Sequence, residues 1–235
     1  EGYAVSNTNA AAKLVSVNTH YITSEFSQEG TRRQSRELES VAMLPVTDAV
    51  TTATYYVEVS DDNDVLFSFI NDTNAAAAVE FSLTTENGQQ LEASRTILAS
   101  NQLALNVSEL FSGNSVQGSL SISSSQPIYI QGLFEVDNGE GETLLAPAPG
   151  VQGSPVYSEA MVERRMLPAI PTGAGSSVRV VLLNTSEDVI SGTIEVTDQD
   201  DMPYEIEPGQ SFVHSIPPDS RPLLDGKGII RAETG

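Results

Sequence analysis

Two stretches of this chain match one another in order and spacing, and that repeat restricts the fold more than any other feature of the sequence. The first passes from Met43-Leu44-Pro45 to an apolar run at 65–70 and the turn Asn71-Asp72-Thr73. It continues through segments 79–84, 97–105 and 118–122. The second passes from Met166-Leu167-Pro168 to 178–183 and Asn184-Thr185-Ser186, then through 192–197, 206–213 and 228–232. Matching positions lie about 110–120 residues apart, the length of one β-sandwich. Within each copy the apolar residues fall at alternate positions, as in Val79-Glu80-Phe81-Ser82-Leu83 and Thr193-Ile194-Glu195-Val196-Thr197. Period two makes these half-buried strands. Glu86-Asn87-Gly88-Gln89 is a hairpin turn, because Asn and Gly tolerate positive φ, and Asp198-Gln199-Asp200-Asp201 is its counterpart. The runs 65–70 and 178–183 are nearly continuous in apolar residues. They are expected as strands covered on both faces, or with an outer face against a neighbouring domain. Helix is expected only as single turns, at 108–111 and at 37–43.

The expected fold is all-β: two tandem Ig-like antiparallel β-sandwich domains preceded by an N-terminal strand segment. The boundaries are 1–40 for that segment, 41–136 for the first repeat and 161–235 for the second. Residues 137–160, rich in Gly, acidic residues and Pro147, Pro149 and Pro155, read as a semi-rigid linker. The first copy continues past Ile122 and Gln126-Pro127 into a closing strand at 128–134. The second copy has no such strand before Gly235. Gly2-Tyr3-Ala4-Val5-Ser6 and Lys13-Leu14-Val15-Ser16-Val17 share the pattern of 118–133, so the chain opens with a segment shaped like the piece its second copy lacks. Both chain ends read as cuts. A missing strand leaves an unpaired edge. The expectation is that Val5, Leu14, Val15 and Val17 insert beside an edge near Ile229 and Ile230, either within the chain or in a second copy of it.

Composition narrows the partners. Of 235 residues, 32 are acidic and 11 basic, a net charge of -21. Nucleic acid is excluded as a partner, since phosphate neutralisation needs clustered Lys and Arg. No apolar run approaches the roughly 20 residues that cross a bilayer, so no membrane insertion is expected. The absence of cysteine excludes thiolate metal sites and cysteine nucleophiles. It does not exclude secretion, because a core of this size needs no disulfides.

The succession of apolar strand, Asn-x-Ser/Thr, alternating strand, Asp/Asn turn, glycine-led strand and Ser-x-x-Pro resembles the tandem Ig-like β-sandwich repeats of bacterial secreted and cell-surface proteins. The residues that carry it are 70–73, 79–88 and 118–133 in the first copy, and 183–186 and 192–201 in the second. The resemblance implies an extracellular location and a role as spacer, stalk or filament subunit, and it transfers no catalytic residue.

No catalytic constellation is present: no Gly-x-Ser-x-Gly elbow, no phosphate-binding loop, no His-Glu-x-x-His. His20 and His214 fall on separate strands, and the chain is not expected to be an enzyme. Asp61, Asp62 and Asp64, and Asp198, Asp200 and Asp201, crowd turns in a way that could supply oxygens to Ca2+. They read equally as solvated turns. Asn71, Asn106 and Asn184 begin glycosylation sequons, with turn formation as the competing reading. Arg32, Arg33 and Arg36, like Arg164 and Arg165, stand out in so acidic a chain. They are expected either in local ion pairs or at an interface between repeats or subunits. The function expected is a structural subunit of a head-to-tail homopolymer joined by β-strand complementation. The alternative is a monomeric adhesin or stalk module, calcium-stabilised, with contacts to a cell surface or carbohydrate. The absence of Trp weighs against sugar platforms.

Overall fold

The structure, a computed structural model, describes residues 16–24, 36–45, 47–111, 115–137, 143–153, 164–167, 178–196, 200–216 and 228–233. Among them the chain is antiparallel β-sheet with one short helix, α1, Val107–Leu110. It divides into two compact units, one formed by residues 1–82 and 91–153 and the other by 83–90 and 154–235. No helix among the described residues is long and apolar enough to cross a membrane.

The first described strands form an antiparallel pair. Strand β1, Ser16–Ser24, pairs with β2, Arg36–Pro45, and forms a two-stranded sheet of its own. Residues 37–43, expected as a helical turn, therefore lie in a strand. Val41 and the two residues after it propagate an extended pairing better than the few residues available could nucleate a helix.

The first unit is organised by one strand. Residues 118–122 and 128–134, expected as two strands, form a single strand of 22 residues, β8, Val116–Asp137. Its first part pairs with β3, Val50–Val59, and its second part with β4, Asn63–Asn71. The change of partner falls where Val50 faces Ile128 and Thr52 faces Ser123. Ser124 to Pro127 thus sit against a single partner residue, and Pro127, with no N–H to give, occupies the interruption. Strand β5, Ala77–Thr85, also pairs with β8, and with β6, Gln90–Ile97; β7, Asn101–Asn106, pairs with β4.

This switching folds the sheet over its own apolar side. Along β4 the odd positions Val65, Phe67, Phe69 and Asn71 are buried while Leu66, Ser68 and Ile70 are half-buried. The run is covered on one face, not both, and its apolar even positions are only screened. Phe67 meets Tyr55 of β3 edge-on, with centroids 4.9 Å apart, and Phe69 meets Phe81 of β5 at 5.6 Å. Neither pair lies on hydrogen-bonded neighbours, so the rings bridge the two halves of the folded sheet. Ile128 and Ile130 of β8 complete this core.

Of residues 137–160, expected as linker, 143–153 belong to the same unit. Strand β9, Thr143–Pro147, pairs with the second part of β8, and β10, Gly150–Gln152, with β3. Pro147 does not prevent this because β9 pairs among the described residues on one side only, where a missing N–H can face away from the ladder. Pro149 contributes its carbonyl, which accepts from Tyr56 N–H at 3.0 Å.

The second unit holds a four-stranded sheet in the order β11, Arg164–Leu167; β16, Gly228–Glu233; β13, Ile190–Val196; β14, Met202–Ile206. A two-stranded sheet joins β12, Val178–Leu183, to β15, Ser211–Ile216. Val180, Ile194, Tyr204 and Ile206 form its core, with Leu182, Ile190 and Phe212 packed against them. The two Met-Leu-Pro segments play different parts. Met43 and Leu44 pair with β1, opposite Asn18 and Val17, whereas Met166 and Leu167 pair with β16.

Candidate functional site

The repeat is written most legibly in two asparagines. Asn71 ends β4 and is fully buried; Asn184 follows β12 and is 1% exposed. The Asn71 amide nitrogen donates to the carbonyls of Ala75 (2.8 Å), Ile97 (3.2 Å) and Leu98 (3.1 Å). Its amide oxygen accepts from Thr73 N–H (3.1 Å) and Thr73 Oγ1 (2.7 Å). Asn184 donates to the carbonyls of Asp188 (2.7 Å) and Ile206 (2.8 Å) and accepts from Ser186 N–H (2.9 Å) and Oγ (2.7 Å). Each side chain closes the turn after its strand and ties that turn to the end of a distant strand. Each therefore uses both its donors and its acceptor, as a buried amide must.

The correspondence continues beyond the sequon. Ser100 and Gly209, three residues past Ile97 and Ile206, both adopt positive φ, 51° and 71°. Ser100 N–H donates to Thr73 O, and Gly209 N–H to Asn184 O, each at 3.0 Å. A glycan on Asn71 or Asn184 would replace an amide hydrogen already in use and would need a way out of a closed core. In the folded chain these two are turn formers. Asn106, at the start of α1, is the sequon asparagine that is only half-buried.

The two units differ at their edges. In the first, β4 is paired on both sides, with β7 and with the second part of β8, and beyond that lies β9. The closure is tight. A Cβ on Gly132 would come within 2.8 Å of Phe67 Cε1 and of Ala148 Cβ, and one on Gly150 within 2.2 Å of Tyr55 Cδ1. Gln152 Nε2 donates to the Tyr55 hydroxyl and to Ile130 O (2.7 Å), pinning β10 across the core strand. Burial pushes the Tyr55 phenol above its ordinary range against the opposing effect of Gln152. In the second unit β12, the counterpart of β4, pairs among the described residues with β15 alone.

The edge expected at Ile229 and Ile230 is not one. Ile229 faces Met166 on one side and Glu195 on the other; Ile230 faces Arg165 and Ile194. Strand β16 is central because β11, four residues long, covers its outer side, a strand too short to stand out in the sequence. Of the expected inserting residues, Val17 lies in β1 opposite Leu44, while Val5, Leu14 and Val15 lie outside the described residues. Arg36 opens β2 opposite Ser24, and Arg32 and Arg33 are also outside them.

The acidic turns separate. Asp61 and Asp62 are exposed in the β3–β4 turn, whose N–H groups at Asp62 and Asn63 use Ser60 Oγ. Asp64 points elsewhere and caps the short helix, its carboxylate accepting from Ser108 Oγ (2.5 Å) and Ser108 N–H (3.3 Å). Asp200 and Asp201 are exposed and Asp198 is outside the described residues. Among the described residues no three His, Cys, Asp or Glu side chains converge on a point. His20 faces Val41, and His214 faces Val180, on strands of different sheets.

Two features were not foreseen. Asp64 faces Glu135 directly across β4 and β8. Burial, and then the Asp64 charge, raise the Glu135 carboxyl above its ordinary range, while the Asn106 amide opposes them. The outer face of β3, β8, β5 and β6 carries a shallow depression of about 650 Å³. Thr52, Thr54, Ser82, Ser94, Ser121 and Ser123 supply hydroxyls to it, and Glu80 and Glu92 its charge. Period two announced an outward face; which strands would lie side by side in it could not be read without the pairing.

No protein-family model matches the sequence, and no curated protein matches it. Solved structures similar to it include Thermotoga maritima 1070, at 13% identity and TM-score 0.38, covering 46% of this chain and 100% of that one. Another is the 7S globulin of Momordica charantia, at 11% identity and TM-score 0.14, covering 91% and 79%. Likenesses this slight carry no argument about function.

Proposed function

We propose that the chain is a structural subunit of an extracellular filament or surface appendage, built of two tandem Ig-like sandwiches and assembled by β-strand complementation between copies. The observation that supports this is that β12 pairs among the described residues with β15 alone, beside the two-sided pairing of its counterpart β4. An unpaired edge over an apolar core favours addition of a strand, with main-chain hydrogen bonds for affinity and alternate side chains for register. Light scattering and negative-stain microscopy of the purified chain test the reading. Species larger than one chain are expected, and their loss on deleting residues 1–15. A chain that stays monomeric at high concentration and moderate salt refutes it.

A second reading, a monomeric adhesin or stalk module, draws on the hydroxyl-lined depression of the outer face, whose small polar groups suit hydrogen bonding to a polar ligand such as a sugar.

A further inference from the structure

We infer that Asn87 is a self-modification site, converted through a succinimide to aspartate and isoaspartate at a rate that the turn around Thr85 sets. This holds whether or not copies of the chain assemble. In the reaction hydroxide from solvent removes the Gly88 amide proton, and the Gly88 nitrogen attacks Cγ of Asn87. The N–Cγ bond forms, the Cγ–Nδ2 bond breaks, and Nδ2 leaves as ammonia, taking a proton from water. One water then opens the ring at either carbonyl. The sequence has two Asn-Gly steps, Asn87-Gly88 and Asn138-Gly139, the second outside the described residues. Glycine favours the attack because it has no Cβ to crowd its nitrogen.

Asn87-Gly88 lies in the turn from β5 to β6, where residues 86–89 are exposed to solvent. Gly88 supplies the positive φ of this turn, 78°, and its N–H donates to Thr85 O at 2.8 Å. The proton that must leave first is therefore held in the closed turn. Reaction proceeds from the opened turn, the same state from which that amide exchanges its hydrogen. Thr85 braces the closed form. Its N–H donates to Gln89 O at 2.9 Å, and its Oγ1 accepts from Gln89 N–H at 3.1 Å. The hydroxyl proton serves Asn87 Oδ1 or Gln89 O. Asn87 Oδ1 also accepts from Gln89 N–H at 3.2 Å. Thr85 thus holds both reactants, Gly88 through its carbonyl and Asn87 through its hydroxyl. Conversion sets a carboxylate beside Glu86, and the isoaspartyl form adds one carbon to the main chain of the turn, so the bonds between Thr85 and Gln89 no longer close.

The test is peptide mapping by mass spectrometry of the full chain held at mildly alkaline pH, folded and in urea, with isoaspartate separated from aspartate by chromatography. Asn87 is expected to convert readily in urea. In the folded chain it is expected to convert about tenfold more slowly, by the same factor that slows hydrogen exchange at Gly88. Thr85→Val keeps the branched shape without the hydroxyl. It is expected to raise the folded rate about fivefold, the opening that loss of one ordinary hydrogen bond permits, and to leave the rate in urea unchanged. Thr85→Ser should keep the native rate. Urea unfolding of each variant checks that the chains compared are folded. Should Thr85→Val fail to fold, the match between conversion and Gly88 exchange in the unmodified chain decides. A folded chain that converts as fast as the unfolded one, or a folded Thr85→Val no faster than the native chain, overturns control by the turn. Asn87 left intact in urea overturns the site itself.

Discussion

Replacing Asn71 by alanine removes a side chain that serves five backbone or hydroxyl groups. The Ile97 carbonyl lies at a buried contact, and leaving such a group without a donor costs about 1–3 kcal/mol. The Ala75 and Leu98 carbonyls and the Thr73 groups lie nearer the surface, where water replaces part of what is lost. The total expected is about 2–4 kcal/mol, well beyond an ordinary surface substitution. Asn184→Ala should cost a similar amount, since the Ile206 carbonyl is its buried acceptor. Asn71→Asp should cost more, because it presents a carboxylate oxygen to carbonyl oxygens inside the fold. Urea unfolding followed by circular dichroism reads these differences, with the slope checked for loss of two-state behaviour. If Asn71→Ala and Asn184→Ala each cost less than about 0.5 kcal/mol, the range of neutral surface changes, the asparagines do not hold the turns and the equivalence of the two units loses its energetic meaning.

Other substitutions test particular contacts. Gly209→Ala is expected to destabilise by about 1 kcal/mol through its positive φ alone, as no neighbouring atom meets the added Cβ, while Ser100→Gly should be neutral or slightly stabilising. Gly150→Ala should dislodge β10 from the Tyr55 ring and speed hydrogen exchange at Tyr56 and Gly153 before other sites. Because the Glu135 carboxyl is raised in the folded state, the folded chain binds the extra proton. Its contribution to stability is therefore fully present at low pH and is lost as pH rises through the raised value. Glu135→Gln should flatten the dependence of the urea midpoint on pH above the ordinary carboxylate range and raise the midpoint at neutral pH; an unchanged slope would show that burial and the Asp64 charge do not raise this carboxyl. With a net charge of -21 per subunit, assembly should strengthen as salt is added, and light scattering across a salt series would show the opposite trend if cation-bridged contacts dominated.

The sequence disclosed what repeats and what alternates. Val79, Phe81 and Leu83 announced a strand through period two, and Asn71 and Asn184 announced their equivalence through spacing. It did not disclose partnership, because pairing depends on residues far apart in the chain. The Ser-Ser-Gln-Pro stretch at 124–127 looks locally like the end of a strand, and only the bulge opposite Thr51 shows that the strand goes on with new neighbours. Residues 143–152 look like a linker because proline and glycine dominate locally, whereas the Tyr55 ring and the Gly132 carbonyl hold them against the sheet. Ile229 and Ile230 looked exposed for the converse reason: the strand that covers them is four residues long. The acidic turns could be located but not interpreted, since Asp64 turns inward to Ser108 while Asp61 and Asp62 remain in solvent.

The division of β8 between two sets of partners bears on the order in which the first unit can form. Strand β3 finds its ladder partner some sixty residues later in the chain, and β4 finds its second partner at a similar remove. Contacts this distant make for slow closure. A chain emerging end-first presents β3, β4 and β5 with sides unmatched until residue 137 is available. During that interval the nascent unit exposes the kind of edge that a neighbouring copy could seize, and early capture by a holding factor, or rapid export, would decide the yield of correctly closed molecules.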